Sequence, residues 1–481
     1  MSDLNAVYLL LAIPLTAAVI LVALPWHRAS SLLNVAASLA TLGVAVSLLR
    51  ERPAAGSLVF IDDLNITLVV LTSLVGFTTS WFSATYIAHE VEIGRLTRTS
   101  LRFYHAMYQF LTFAMILALC ANNIGVMWVA IEASTLTTVV MVSIYRTRES
   151  IEAAWKYFIL GSVGIAMALF GTILIYLAGQ SVIGAGTEAL AWTELHARAG
   201  SFDANILNLA FVFLLVGYGT KVGLAPLHAW LPDAHAEGPT PISAVLSGLL
   251  LNVALYAVLR FKMILAGNAG AIAPGPLMLT MGLSSLLLAG VMLYRRRDIK
   301  RFFGYSSIEH MGIIAFAFGV GGPLANFAGL LHMALHSLTK SGIFFAVGHI
   351  AQVKGTQKIA DIGGLTKTHP LLGWGFVLSV AAIAGLPPMG LFLSEFLVVT
   401  SAMARQPWLA VPVVVGLLVA FGALALRLQQ LAFGEPRGAS APIQASLVPL
   451  YLHLVPVLVA GLWLPAPLVA WFRNVASLLG S

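Results

Sequence analysis

Apolar residues run along this chain in long stretches, separated by short polar connections that hold most of its charge. A stretch of about 20 residues, at the 1.5 Å rise of an α-helix, matches a bilayer's hydrocarbon thickness of roughly 30 Å. Reading for such runs predicts about fourteen spans. They fall at 4–25, 31–49, 64–88, 104–120, 123–144, 154–178, 205–232, 240–263, 274–294, 302–320, 324–351, 370–401, 408–426 and 445–472. The chain opens MSDLN, with no positive charge ahead of the first run. That run is therefore expected to be a membrane helix and not a cleaved leader. The longest polar connections, 89–103, 179–204 and 353–369, are too short for a soluble domain.

Two runs are interrupted. The seventh passes into GLAPLHAWLPDAHAEGPTP, with Pro226, Pro232, Pro239 and Pro241, and the twelfth contains AGLPPMGLF, with Gly385, Pro387, Pro388 and Gly390. Proline removes a backbone donor and clashes with the preceding turn. Two breaks five spans apart are what a pair of repeated five-helix units would produce, and an odd number of spans per unit relates the copies by inversion. The expected organisation is an all-α integral membrane protein. It has an N-terminal three-helix segment (1–103), a first five-helix repeat (104–263), a second (274–430), each with a broken helix, and a C-terminal helix (431–481).

Composition agrees with the pattern. Of 481 residues 59% are hydrophobic and 9% charged, against about 25% charged in a soluble domain, which excludes a water-soluble fold. The net charge of +7 does not point to nucleic acid, because the basic residues sit between apolar runs. Odd-numbered connections hold 16 of the 26 Lys and Arg, and even-numbered ones with the C-terminal tail hold 7. The remaining three, Lys156, Lys221 and Lys340, lie in or at the edge of spans. The positive-inside rule then puts odd connections in the cytoplasm and both termini on the other side. The single cysteine, Cys120, excludes an internal disulfide and thiolate-held iron–sulfur or zinc sites.

Several ionisable residues stand where each costs about 2.5–3.5 kcal/mol to insert. Glu132 lies mid-way along the fifth span, and Lys221 five residues before Pro226. Glu309 and His310 lie in the tenth span, and Glu395 just past the break of the twelfth. His332, His336 and Lys340 follow one another at i, i+4 and i+8 in the eleventh. That spacing puts them on one helix face as a polar ladder about 12 Å long. Imidazole suits proton relay because its two nitrogens accept and release on opposite sides. A Glu–Lys pair whose separation changes can load and release a proton, since desolvation disfavours the ammonium and a nearby carboxylate favours it.

Plainer readings stand beside these. Glu132 and Lys221 also fit a static ion pair, and His310 a carbonyl bond with Glu309 as its partner. His332 and His336 have a metal-ligand spacing, but no third ligand follows in sequence, so no metal is expected. Lys156, four residues after Glu152, reads as a local surface pair. Asp233, His235 and Glu237 either line a proton entrance or cap helix ends, and His349 reads as interfacial.

GYGTKVGLAPLHAWLPDAHAEGPTPISAVLSGLL, with Glu132, YSSIEHMG and GLPPMGLFLSEF, resembles the antiporter-like subunits of respiratory complex I. The wider family includes Mrp-type cation/proton antiporters and group 4 membrane-bound nickel–iron hydrogenases. The resemblance covers about residues 60–430 and is strongest to the hydrogenase-4 component F branch. It implies fourteen helices with two inverted repeats, and protons moving along a hydrated line of buried charges. Carried over by position, Glu132 and Lys221 match the family's glutamate–lysine pair, and His228 the histidine of the first break. His332, His336 and Lys340 match its central relay, and Glu395 the ionisable residue after the second break. Asn252 departs from the lysine often found there, and Glu309 adds a carboxylate beside His310. The chain also ends soon after its last span, without the long lateral helix of some relatives.

The expected function is a proton-translocating membrane subunit of a redox-driven complex, of the NADH:quinone oxidoreductase or hydrogenase-4/formate hydrogenlyase type, in the inner (cytoplasmic) membrane. No cofactor is expected in this chain; flavin, iron–sulfur clusters or nickel–iron would sit in peripheral redox subunits beside other membrane subunits. The alternatives are an Mrp-type sodium/proton antiporter subunit, an inorganic-carbon-uptake membrane subunit, and a non-conducting structural subunit.

Overall fold

The computed structural model describes residues 4–24, 26–443 and 445–480; Met1–Asp3, at the start of the MSDLN on which the leader reading rests, lie outside them. Among the described residues there is no strand, only four isolated bridging pairs, as the all-α expectation requires. The helices are α1 (Leu4–Ala23), α2 (His27–Ser47), α3 (Asp63–Glu92), α4 (Arg98–Cys120), α5 (Ile124–Val142), α6 (Arg148–Ile183), α7 (Trp192–Ala197) and α8 (Ala204–Val222). They continue as α9 (Trp230–Glu237), α10 (Thr240–Val245), α11 (Leu251–Ala266), α12 (Gly275–Leu293), α13 (Ile299–Val320) and α14 (Gly322–Lys354). The last are α15 (Leu365–Thr368), α16 (Pro370–Ile383), α17 (Gly390–Arg405), α18 (Pro407–Leu428), α19 (Val448–Leu462) and α20 (Ala466–Leu478). α10 and α11 form one helix through a π turn at Leu246–Leu250.

Short polar side chains start several of these helices. The Asp62 carboxylate accepts from the N–H groups of Leu64 and Asn65, and Asn65 Oδ1 accepts from the Asp62 N–H. Asn123, Thr147, Asp203 and Asp298 cap α5, α6, α8 and α13. Each satisfies donors that a helix start leaves free.

Eleven helices among the described residues are long and apolar enough to cross a membrane, or twelve if α19 and α20 count as one bent span. The continuous span expected at 445–472 is corrected here: α19 and α20 meet at 84°. Pro465 sets the turn, and α20 packs against α14 and α3. Its Trp471 indole donates to Thr67 Oγ1 at 3.0 Å, and its end accepts from Asn326 (Gly480 O, 2.7 Å) and Lys262 (Leu479 O, 3.2 Å).

The interior is built around the Thr240–Ala266 helix, α13 and α14, with α13 buried along nearly its whole length. The apolar window of Thr240–Ala266 is 100% buried and that of α14 94%, against 39% for α1 and α6. The outer helices thus present apolar faces outward, and the centre is lined by protein. Glycines bring the packed pairs close: a Cβ at Gly282 would meet the Phe316 nitrogen at 2.6 Å, and one at Gly217 the Gly164 carbonyl at 2.6 Å. Small residues at helix contacts are the usual means of association in lipid, where hydrophobicity does not drive helices together. On one rim Arg260 makes two 2.7 Å bonds to Asp62 and one of 2.8 Å to Tyr256, among the rings of Phe60, Trp192 and Tyr256.

Candidate functional site

The two breaks close in the same way. Gly223 takes a left-handed φ of 79° and Gly385 one of 64°. At the first, Gly223 N–H donates to Thr220 at 3.2 Å, Leu224 to Gly219 at 2.9 Å and Leu227 to Leu224 at 3.0 Å. At the second, Gly385 donates to Ala382 at 3.2 Å, Leu386 to Ala381 at 3.0 Å and Met389 to Leu386 at 2.9 Å. A left-handed glycine is what lets these N–H groups fold back onto the helix's orphan carbonyls. Beneath both lies Gly-Leu-x-Pro: Gly223 to Pro226 and Gly385 to Pro388. The first break is also held by Trp230 Nε1 donating to Thr220 O (2.8 Å) and Ala225 N–H to Ser285 Oγ (2.8 Å). In a hydrocarbon surrounding, such bonds replace the water an unwound backbone would need.

One charged cluster sits beside the first break. Lys221, in the last turn of α8, is 2% exposed. Its Nζ lies 3.3 Å from Glu132 Oε2 and donates to Thr135 Oγ1 at 2.8 Å. Glu132 and Thr135 are one turn apart on α5 and so reach the same point. Thr135 gives its own proton to the Ile131 carbonyl at 3.0 Å, which leaves oxygen lone pairs for the ammonium. Gly161 on α6 makes the space: a Cβ there would lie 2.9 Å from Nζ.

A second cluster draws on α13, α14 and α17. His310 Nδ1 and His332 Nε2 are 2.9 Å apart, and His332 Nδ1 is 2.9 Å from Ser394 Oγ. Glu309 Oε2 lies 3.8 Å from His310 Nε2. The His336 ring centre is 5.6 Å from that of His310, and Lys340 donates to the Phe303 carbonyl at 2.8 Å. His332, His336 and Lys340 therefore all face α13, and their contacts run across to it, and from His332 also to Ser394 of α17, and not along the ladder. Glu395 joins His310 and His332, with one oxygen and one nitrogen from each lying within 4.8 Å of one another. Gly385 leaves room for the Glu395 carboxylate, which a Cβ there would overlap.

Hydroxyls and an amide tie α11 and its π turn to the helices of the second cluster. Asn252 Nδ2 donates to Ser337 Oγ at 2.7 Å, tying α11 to α14 next to His336. Ser247 in the π turn bonds Ser307 at 2.7 Å, and Ser307 and Lys340 both donate to Phe303 O. Sequence reading missed Thr135, Ser247, Ser307, Ser337 and Ser394, because serine and threonine in membrane helices commonly bond only their own helix and carry no pattern of their own.

The other candidates stand apart. His228 is half-buried in the unwound stretch, its ring 6.4 Å from that of Tyr305. His235 is fully buried and stacks on Phe344 at 4.8 Å. Asp233 pairs with Lys156 (3.2 Å) and Arg301 (3.4 Å), and Glu237 with Arg301 (3.2 Å), so neither caps a helix. Lys156 also makes the expected local pair with Glu152, at 2.9 Å. His349, expected at the interface, is buried against the edge of Phe82.

Residues 121–420 match the family described as NADH:quinone oxidoreductase/Mrp antiporter, transmembrane. The chain is 61% identical over 453 residues to a hydrogenase-4 component F homolog of Methylacidiphilum infernorum (isolate V4), covering 94% of this chain and 95% of that one. It is 31% identical over 366 residues to NADH-quinone oxidoreductase subunit N of Desulforudis audaxviator (strain MP104C), covering 76% and 70%. Its fold superposes with a TM-score of 0.86 on a chain of the membrane-bound sulfane sulfur reductase, an archaeal respiratory membrane complex, at 23% identity over 98% of this chain and 97% of that one. This multi-pass membrane chain belongs to the NADH:quinone oxidoreductase/Mrp antiporter family, and is homologous to the antiporter-like membrane subunits of complex I and hydrogenase-4.

Proposed function

We propose that this chain is the proton-translocating membrane subunit of a redox-driven complex of the hydrogenase-4 or NADH:quinone oxidoreductase type. The observation that carries the reading is the pair of buried charged clusters set beside two matching helix breaks. An ammonium and a carboxylate at 3.3 Å, both largely withdrawn from solvent, form a switch that a change of charge in a neighbouring subunit would bias. Lys221 passes its proton toward His336, His332 and Lys340 by way of water held at Asn252 and the serines around the π turn. Glu309 and His310 hold it there, and Glu395 receives it beyond the second break. His228 lies in the unwound stretch where water would reach Lys221, with Asp233 at its mouth and His235 buried behind it.

The same reading counts fourteen crossings. To the eleven long apolar helices it adds α13, shorter of apolar residues because it carries Lys300, Arg301 and Glu309, the broken pair α16–α17, and α19. Residues 104–263 and 274–430 are then inverted repeats, flanked by 1–103 and 431–481. The shared Gly-Leu-x-Pro turn with its three matching hydrogen bonds supports that relation. The 16-to-7 distribution of basic residues supports an inner-membrane orientation with both termini away from the cytoplasm. Electron transfer belongs to peripheral partner subunits, and this chain holds no redox cofactor.

Lys221→Ala and Glu132→Gln in the assembled complex provide the test. The expected result is normal assembly and electron transfer, with proton transport into vesicles lost or severed from turnover. Normal proton stoichiometry in either variant would overturn the reading in favour of a purely structural subunit. Loss of transport on removing sodium would move it to a sodium/proton antiporter.

A further inference from the structure

We infer that His310, His332 and Glu395 form a binding site for a divalent transition-metal ion of the zinc type. The residues come from three helices, α13, α14 and α17, and offer two imidazole nitrogens and a carboxylate oxygen within 4.8 Å of one another. Two imidazoles and one carboxylate are a common zinc donor set. A tetrahedral ion with bonds of about 2.0–2.1 Å needs donor atoms roughly 3.3 Å apart. His310 Nδ1 and His332 Nε2 are hydrogen-bonded to each other at 2.9 Å, so an ion between them needs the pair to open by a few tenths of an ångström and the rings to turn toward Glu395.

The outer nitrogens complete the argument. A metal-bound histidine gives its remaining N–H to an oxygen that fixes the ring. His332 Nδ1 has Ser394 Oγ at 2.9 Å, and Ser394 passes its own proton to the Leu391 carbonyl at 2.9 Å, so its oxygen accepts. His310 Nε2 has no hydrogen-bond partner among the described residues; its nearest carboxylate oxygen, Glu309 Oε2, is 3.8 Å away and must move closer to accept its proton. One ring's proton lies between the inner nitrogens; shifting it to that ring's outer nitrogen leaves Nδ1 of His310 and Nε2 of His332 free for the ion. No proton has to leave either ring. The carboxylates of Glu395 and Glu309 offset the ion's charge, and the missing side chain of Gly385 leaves the Glu395 head its place. Lys340 opposes binding by its charge, but its ammonium is turned to the Phe303 carbonyl. A bound ion would occupy the two nitrogens between which the proton moves, and would block transport. That consequence rests on the relay proposed above; the binding itself does not.

The test uses the purified complex, stripped by chelator and titrated with Zn²⁺ against an indicator dye, with Co²⁺ as a spectroscopic substitute. The expected result is one chelator-reversible Zn²⁺ per chain beyond that of the His332→Ala/Glu395→Ala double variant, and tetrahedral Co²⁺ absorption with imidazole ligands. Ser394→Ala keeps all three ligands and is expected to weaken binding about 10–100-fold; it serves should the double variant fail to assemble. Equal zinc binding by wild type and Ser394→Ala, or by wild type and the double variant, would overturn the site. Transport measured alongside separates the two proposals. Zinc bound at these ligands with transport undiminished keeps the site and removes the relay. Transport lost in metal-free His332→Ala, with wild type binding no more zinc than the double variant, keeps the relay and removes the site.

Discussion

At the scale of single residues, the working groups are held as much by what is missing beside them as by their partners. Gly161 has no side chain where the Lys221 ammonium sits. On propensity alone, Gly161→Ala would favour α6 by about 0.8–1 kcal/mol. The new methyl would lie 2.9 Å from Nζ, inside the roughly 3.5 Å of an unstrained contact. Nζ must then withdraw from Thr135 and Glu132. The expected outcome is normal assembly and thermal stability, with proton transport about tenfold slower, or roughly 1.4 kcal/mol on the barrier. Gly43→Ala, where a Cβ meets nothing within 4 Å, is the matched control, and equal transport in both would refute the argument. The charged members of the site were legible in the sequence, because a charge inside an apolar run is costly and so conspicuous. The hydroxyls that orient them were not, since Thr135 and Ser394 look like any other small residue of a membrane helix.

At the scale of elements, proline and glycine made the two breaks legible, but the same signal went unused at the chain's end. Residues 445–472 are apolar apart from Ser446 and His453, so hydropathy reads one span, whereas the break at Pro465 turns α20 by 84° from α19. The tie between α3 and α11 was equally hidden, because Arg260 reads as a connection residue until its partner is seen. Burial pushes the Asp62 carboxyl up, and the Arg260 guanidinium beside it outweighs this, holding it below its usual value. A lowered folded-state pKa means stability that is present above the unfolded value of about 3.9 and is lost as pH falls through the folded one. Asp62→Asn would leave a fully buried guanidinium without its counter-charge. Since Asp62 keeps 27% of its side chain exposed, the cost falls at the low end for such pairs, about 3 kcal/mol at pH 7. Thermal unfolding in detergent should show that gap between variant and wild type at pH 7 and see it close below about pH 4. A gap independent of pH would show that the pair does not act through its charge.

Over the whole molecule, the question is how two charged clusters on separate helices act as one device. α8 carries Lys221 and packs against α11, and α11 is joined to α14, which carries the histidines, by Asn252. Asn252 has one face on Ser337 and an amide oxygen with no protein partner. It is placed to hold a water molecule, which gains most where it satisfies a buried polar group. An amide cannot carry a proton as a lysine can, so here its service is to keep solvent in the gap. The π turn just before it, at Leu246–Leu250, widens the helix at the same level, as such turns often do at functional sites. If the clusters are coupled through this point, drying it should uncouple them without disturbing either. Asn252→Leu removes the bond to Ser337 and fills the space with methyl groups. The expected result is an intact complex whose electron transfer continues while proton transport falls about tenfold or more, roughly 1.4 kcal/mol. Asn252→Gln or Asn252→Ser, which keep a polar anchor for water, should retain most of the transport. Unchanged transport in Asn252→Leu would show that the proton crosses between the clusters by another route, or that each cluster serves a path of its own.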